Sequence, residues 1–260
     1  MEPRKSGNKS LYQNMGWHYR RLVVPRILPQ CRKIITVSHF ERNRIREALR
    51  LPDGQITTVY NGYSRHFYPQ EDPSPITRKY IEESRYLFFL GNTDPKKNVP
   101  RTLKAYSLYR EKSPKPLPLL IADIKEEILG SILREQGIEH VRPHIVCPGY
   151  IPNTDLPYLY SGAFAFLYTS LRESFGIPLL EAMACGTPVV TSNTSSMPEV
   201  GGPGALLCDP TDAKDIAHKI LSLEKGPALY RQQIQYGLRR AKRFSWETTA
   251  TELLSIYKSI

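Results

Sequence analysis

Two glutamates, Glu173 and Glu181, stand eight positions apart in the segment 173–190, which reads E-S-F-G-I-P-L-L-E-A-M-A-C-G-T-P-V-V. Leu179, Leu180, Met183 and Ala184 recur at helical spacing, Pro178 suits a first helical turn, and Gly186 suits a left-handed cap. The amides of Phe175, Gly176 and Ile177 then point out of the helix start, where the dipole contributes roughly half a positive charge. Such a place seats phosphate. A carboxylate cannot hold phosphate, because like charges repel, so each glutamate suits hydroxyl donors such as those of a sugar. Phosphate beside a polyol describes a nucleotide or a sugar nucleotide. A second reading, in which both glutamates simply favour a helix start electrostatically, fits the spacing equally well.

The surrounding pattern supplies the elements that position this segment. An apolar run at 163–168 reads as a buried strand that feeds the turn before the helix, and a strand resumes at 189–192. Upstream, strands are expected at 86–90, 117–122 and 144–147, with helices at 99–110, 125–136 and 155–161. Downstream, a sixth strand is expected at 205–208, then a helix capped by Thr211 and running to 224. Short apolar strands alternating with helices predict an α/β fold with a Rossmann-like parallel sheet over residues 86–244. Before it, residues 1–64 hold a basic helix and a strand–helix–strand unit (33–38, 40–49, 55–60), closed by the turn dipeptide Asn61-Gly62. Residues 65–85 are proline-rich and read as a linker, and residues 245–260 read as a separate final helix.

Ligands of such sheets bind beyond the carboxyl ends of the strands. There, residues 91–98 (G-N-T-D-P-K-K-N) offer a flexible turn at Gly91 and two ammonium groups, Lys96 and Lys97, suited to a diphosphate. An ordinary solvated lysine pair is the alternative. Gly149 and Tyr150 offer close backbone approach and an aromatic edge for a planar base, or a plain turn at a strand end. Residues 193–199 form a polar loop before a second helix start, which could equally be structural.

Composition narrows the classes. The 260 residues carry a net charge of +11, yet residues 1–50 alone hold 12 of the 36 Lys+Arg and 3 of the 25 Asp+Glu. The basic excess therefore belongs to the first segment. Its basic residues lack the aromatic interleaving and motifs of nucleic-acid binders, so no nucleic-acid partner is expected. Trp17, Tyr19, Leu22, Val23, Ile27 and Leu28 alternate with basic residues, as in a helix lying at an anionic membrane surface, and Pro25 would kink or end that helix. A helix packed on protein with its basic face in water is the preferred alternative. Four scattered cysteines, 31, 147, 185 and 208, indicate neither a zinc site nor a disulfide framework. With no apolar run near the ~20 residues of a membrane span and no signal-peptide core, a cytoplasmic protein is expected, at most peripheral at the inner membrane face. G-x-G-x-x-G and Walker A patterns are missing, which disfavours dinucleotide oxidoreductases and NTPases, and the six histidines show no ligand spacing.

Taken together, these residues resemble the retaining GT-B glycosyltransferases of family 4 (glycosyl transferases group 1). The E-x7-E signature, Glu173 to Glu181, carries the resemblance, with S-H-F-E-R (38–42), Y-N-G (60–62), P-K-K-N (95–98), P-G-Y-I (148–151) and N-T-S-S-M-P-E-V (193–200) around it. The resemblance implies that Glu181 holds ribose hydroxyls and that Glu173, the expected catalytic-site carboxylate, contacts the donor sugar. Ser174, Phe175, Gly176 and Ile177 would give backbone contacts to sugar and diphosphate. Lys97 would neutralise the diphosphate in place of a metal, with Gly91 and Asn92 in the same loop, and Tyr150 and Ile151 would meet the base. No metal or other cofactor is expected. The implied substrates are a GDP- or UDP-linked hexose, mannose first, and a glycan or lipid-linked acceptor of surface polysaccharide assembly.

Two departures stand out. Many members of the resembled family place an arginine where Asn92 stands; Lys96 offers a point charge rather than a bidentate fork. The match to an N-terminal acceptor domain covers only its end, to about Tyr63, so most of that domain is expected to be missing. Strands left with open edges then call for a second copy or a partner chain. A catalytically silent nucleotide-sugar-binding half that needs such a partner is the competing reading.

Overall fold

A computed structural model describes residue 16 and residues 19–259. Most of the basic segment's start, including Trp17 and His18, lies outside the described residues. Residues 19–30 form short helical turns that carry Pro25 within them and expose Tyr19, Leu22, Val23 and Ile27. Leu28, by contrast, packs against the small core of Ile34, Leu51 and Ile56.

Six strands form one parallel sheet: β3 (Leu87–Leu90), β4 (Leu119–Ala122), β5 (Ile145–Gly149), β6 (Ala165–Tyr168), β7 (Val189–Ser192) and β8 (Ala205–Cys208). Their order, β5-β4-β3-β6-β7-β8, is that of a doubly wound sheet whose direction of growth reverses between β3 and β6. Helices α2 (Val99–Lys112), α3 (Glu126–Gln136), α4 (Leu156–Gly162), α5 (Ile177–Ala184), α6 (Met197–Gly201), α7 (Ala213–Lys225) and α8 (Pro227–Ala241) follow in turn.

Period-two alternation sends strand residues to two separate cores. Phe88, Leu120, Phe166, Val189 and Ala205 join α4 and α5 residues on one face. Leu87, Phe89, Leu119, Ile121, Leu167 and Val190 join α2, α3 and α7 on the other. Register enforces this split, with Phe88 opposite both Leu120 and Phe166, and Phe166 opposite Val189. Burial on both faces explains why the strands read as continuous apolar runs.

Several boundaries shift for local reasons. β4 begins at Leu119 rather than 117, since Pro118 has no N–H to donate. Asp212, not Thr211, caps α7 by accepting from the Lys214 amide at 2.8 Å, and the Thr211 hydroxyl turns to Asp209. The expected linker is packed: Phe67 and Ile81 are buried, and the Tyr80 hydroxyl donates to Asp155 at 2.7 Å.

Upstream, β1 (Ile34–Thr36) and β2 (Ile56–Thr58) form a two-stranded parallel sheet joined by α1 (His39–Leu49). Its small core is Ile34, Leu51 and Ile56. The last helix, α9 (Trp246–Lys258), is capped by Ser245 and returns to this unit. Thr249 donates to the Tyr60 carbonyl at 2.6 Å, and Gly62 lies so close to the Ser245–Trp246 backbone that no side chain fits there. Leu254 and Tyr257 on α9 stay exposed.

Candidate functional site

The sheet reverses direction between β3 and β6, so the loops after these strands flank a crevice at their carboxyl ends. The first loop, 91–98, is shaped by its own side chains. Asn92 accepts from the Asp94 amide at 2.9 Å, and Asp94 accepts from the Lys96 amide at 3.0 Å, which turns the chain and presents both lysines. Lys96 is exposed and pairs with Asp94 at 3.7 Å. Lys97 turns inward instead. Its Nζ lies 2.8 Å from Glu173 Oε1 and 5.1 Å from the Tyr168 ring centre, and the two ionic side chains are only 17% and 12% exposed. Asn98 follows in a left-handed conformation and is buried, its Nδ2 donating to Thr169 O at 2.9 Å and Pro210 O at 2.7 Å. This asparagine locks the first loop to the second. The last residue of P-K-K-N is thus a structural clamp beside the two cations, a role that its sequence position does not signal.

The second loop, 169–176, is held from outside. Ser196 Oγ donates to the carbonyls of Glu173 and Phe175 at 2.9 and 3.1 Å, and Ser195 Oγ accepts from the Glu173 amide at 3.1 Å. Gly176 closes the loop at φ +100, a conformation that favours glycine, and its Cα packs beside the Met197 side chain. α5 begins at the next residue. Among the described residues the amides of Phe175, Gly176 and Ile177 find no acceptor within the chain, so the helix start presents three donors. At its other end α5 stops as expected: the Thr187 amide reaches Ala182 O and the Gly186 amide reaches Met183 O, with Gly186 at φ +79.

Glu181 sits one turn into α5, and its Oε2 lies 3.3 Å from the Tyr160 hydroxyl. Burial pushes its carboxyl up to about 7, a shift that the Tyr160 bond only partly offsets. Between the two glutamates stands Tyr168, buried at the end of β6. Burial first, and then the neighbouring Glu173 and Glu181 carboxylates, hold its hydroxyl well above the usual range.

The remaining expected residues divide by what is left free. Phe175 is buried against Tyr60 and Phe244, with ring centres 6.0 and 5.8 Å away, so only its backbone faces the crevice. Ile177 is half-buried against the same core. Ser174 Oγ is engaged with Glu41 at 3.1 Å. After Gly149, Tyr150 is 75% exposed and Ile151 is 3% exposed, so Ile151 too can offer only backbone to a ligand. Ser195, Ser196, Asn98 and Tyr168 were not singled out by sequence, although the paired serines of N-T-S-S-M-P-E-V were a legible signal. No cluster of three metal-ligating side chains occurs among the described residues. A cavity of about 680 Å³ opens at the opposite, amino ends of the strands, lined by Arg85, Arg110, His144, Phe164 and Glu224 among others, and brings none of these groups together. No helix among the described residues is long and apolar enough to cross a membrane.

The arrangement is therefore a half-buried cation and three free amides for an anion, flanked by two carboxylates for hydroxyls. Family models agree with its place in the chain. Residues 76–240 match the model described as "Glycosyl transferases group 1", and residues 4–67 match "Glycosyltransferase Family 4". The chain is 34% identical to O-antigen chain mannosyltransferase B of Escherichia coli over 241 residues, 89% of this chain and 61% of that protein. Among solved structures it resembles sucrose-phosphate synthase from Thermosynechococcus elongatus with a TM-score of 0.78 at 24% identity, over 93% of this chain and 61% of that one. It also resembles Anabaena HepE, solved in complex with UDP and glucose, with a TM-score of 0.75 at 18% identity, over 88% of this chain and 63% of that one. The chain thus spans about three-fifths of the length of each. Built on the α/β fold of GT-B glycosyltransferases, and matched across its whole six-stranded sheet, the chain belongs to the glycosyl transferases group 1 family.

Proposed function

We propose that this chain carries the donor half of a retaining, metal-independent hexosyltransferase. It takes a hexosyl unit, mannosyl first, from a GDP- or UDP-linked donor for a saccharide or lipid-linked acceptor in surface polysaccharide assembly. The observation that carries this reading is the placement of Lys97 at 2.8 Å from Glu173, beside the open amide end of α5. A diphosphate seated there meets the Lys97 ammonium and the amides of Phe175, Gly176 and Ile177. These are the donors a departing diphosphate needs as its charge grows. Glu173, released from Lys97 by the arriving diphosphate, accepts from sugar hydroxyls and orients the anomeric carbon. Glu181, once ionised, accepts from the ribose hydroxyls, and the base lies against Gly149, Tyr150 and Ile151. Mannose is favoured by the likeness to the E. coli O-antigen mannosyltransferase.

We place the donor domain at residues 86–244, an acceptor-side remnant at 1–64 and the return helix at 245–260. Among the described residues the two strands of the remnant pair with each other and with no further strand, and α9 exposes Leu254 and Tyr257, which favours a partner chain or second copy over this side. A cytoplasmic setting, with residues 1–50 near the inner membrane face, suits Tyr19, Leu22 and Ile27 exposed beside arginines. The second reading is a silent donor-binding module that needs a partner chain for activity. Calorimetry with GDP and UDP, followed by a transfer assay with and without EDTA and NMR of the product anomer, separates the two. An EDTA-resistant α-linked product from an α-linked donor supports the enzyme; binding without turnover supports the module; binding of neither nucleotide overturns both.

A further inference from the structure

Glu199 makes a contact that the donor site does not require. Its Oε1 accepts from the His39 amide at 2.7 Å and from the Tyr60 hydroxyl at 2.8 Å, and its Oε2 accepts from the Phe40 amide at 3.1 Å. His39 and Phe40 are the first two residues of α1, so a carboxylate from the α6 segment fills the amino end of a helix in the other unit. The Ser38 hydroxyl already takes the third amide, that of Glu41, at 3.2 Å. On its own side Glu199 is anchored by the backbone: Arg240 on α8 donates to the carbonyls of Glu199 and Val200.

The contacts close a circuit. Glu41, also in the first turn of α1, accepts from Arg172 at 3.2 Å and Ser174 at 3.1 Å, within the loop that bears Glu173. That loop is bound through Ser195 and Ser196 to the segment that bears Glu199. One helix start therefore grips both segments around the donor crevice, and those segments grip each other. Beneath them, Tyr60 packs on Phe175 and Phe244, with ring centres 6.0 and 5.5 Å away.

We infer that Glu199 is a positioning residue which ties the set of the Glu173 loop to the docking of the β1–α1–β2 unit. Undocking α1 leaves two helix amides and the Tyr60 hydroxyl without their acceptor and removes one of the tethers of the 193–199 segment, whose serines hold the Glu173 backbone. The sugar end of the crevice is then assembled only when the two units are together, whereas Glu181 and Lys97 belong to the donor unit throughout. The inference deepens the donor-site reading and rests on that reading for its affinity arm alone.

Hydrogen exchange of the full chain tests it directly. In Glu199→Ala, the bonded amides within 171–177, those of Leu171 and Glu173, exchange about tenfold faster, the local equivalent of one lost charge-assisted bond. Glu199→Gln, which keeps one acceptor oxygen, recovers most of the protection. GDP affinity stays within about twofold, as for a distant independent site, while any gain in affinity of GDP-mannose over GDP disappears. Faster exchange confined to 38–42 would make Glu199 a mere fastener of α1 and overturn the inference, as would an equal loss of GDP and GDP-mannose affinity. Should Glu199→Ala fail to fold, Tyr60→Phe, which removes one donor from the same carboxylate, carries the same expectation at smaller amplitude. A wild-type chain that binds neither ligand counts against the donor reading, and the exchange over 171–177 still decides the role of Glu199.

Discussion

The two glutamates on either side of the α5 start are solvated in opposite ways. Glu173 is met by an ammonium group at 2.8 Å and anchored through its backbone by two serines. Glu181 has one hydroxyl at 3.3 Å, and burial raises its carboxyl to about 7. One charge is compensated before any ligand arrives; the other is held at a cost until hydroxyls replace the missing water. A carboxylate that is poorly satisfied alone is a good receptor for a diol, because the ligand repairs what burial has taken away.

The contrast breaks most sharply at Lys97. Lys97→Ala removes the cation from Glu173 and, on the proposed function, from the diphosphate, and transfer should fall by roughly 10²–10³-fold, as for loss of one pre-placed charge-stabilising donor. Steady-state kinetics with GDP-mannose reads this, and a loss below tenfold would mean that the amides of α5 suffice.

Glu181→Gln acts in two directions at once. If Glu181 receives the ribose as proposed, the change removes charge-assisted bonds to it and should weaken nucleotide binding by about 1.5–3 kcal/mol. The same change should stabilise the fold at pH 8. The folded carboxyl sits at about 7 against an ordinary 4.5, so its favourable share is complete below 4.5 and lost as pH rises through 7. Relief of that loss amounts to ~1–3 kcal/mol at pH 8, seen as a higher Tm. A destabilised Glu181→Gln would show that the carboxylate is comfortable in the free protein.

A gentler version uses protons. Nucleotide affinity of the wild type should fall by up to about tenfold per unit as pH drops below 7, because the protonated carboxyl accepts poorly, and Glu181→Gln should lose that component. Titrations at pH 6, 7 and 8 read the difference between the two proteins. The smallest effect is expected at Asn92→Arg. The position is exposed, so a guanidinium there should tighten diphosphate binding by no more than ~1 kcal/mol. A larger gain would mean that Lys96, held by Asp94, contributes nothing to the phosphates.

Much of this architecture was legible in the sequence for reasons that stay local. The runs L-F-F-L, L-L-I-A and A-F-L-Y became strands because every residue in them has a core on one face or the other. Gly186 ended α5 because its positive φ is a property of one residue. Glu173, Lys97 and the start of α5 came together because a doubly wound sheet delivers its loops to one end. What the sequence concealed depends on partners far along the chain. Asn98 reaches Thr169 and Pro210, and Glu199 reaches α1 across 160 positions, and no periodicity signals either bond. The packing of residues 65–85 was hidden for a different reason. Prolines at 69, 73 and 75 mark a linker in the sequence but say nothing of how Phe67 and Ile81 within it are buried.

The measurement that bears most directly on the donor site is a double-mutant cycle by calorimetry. It pairs wild type and Glu181→Gln with the tighter-binding of GDP and UDP and with the 2′,3′-dideoxy form of that nucleotide. If Glu181 receives the ribose hydroxyls, the two deletions are redundant: the dideoxy nucleotide binds both proteins alike, and the coupling equals nearly the whole single loss. Additive losses, with the dideoxy form still weakened by Glu181→Gln, would place the ribose elsewhere and contradict the account.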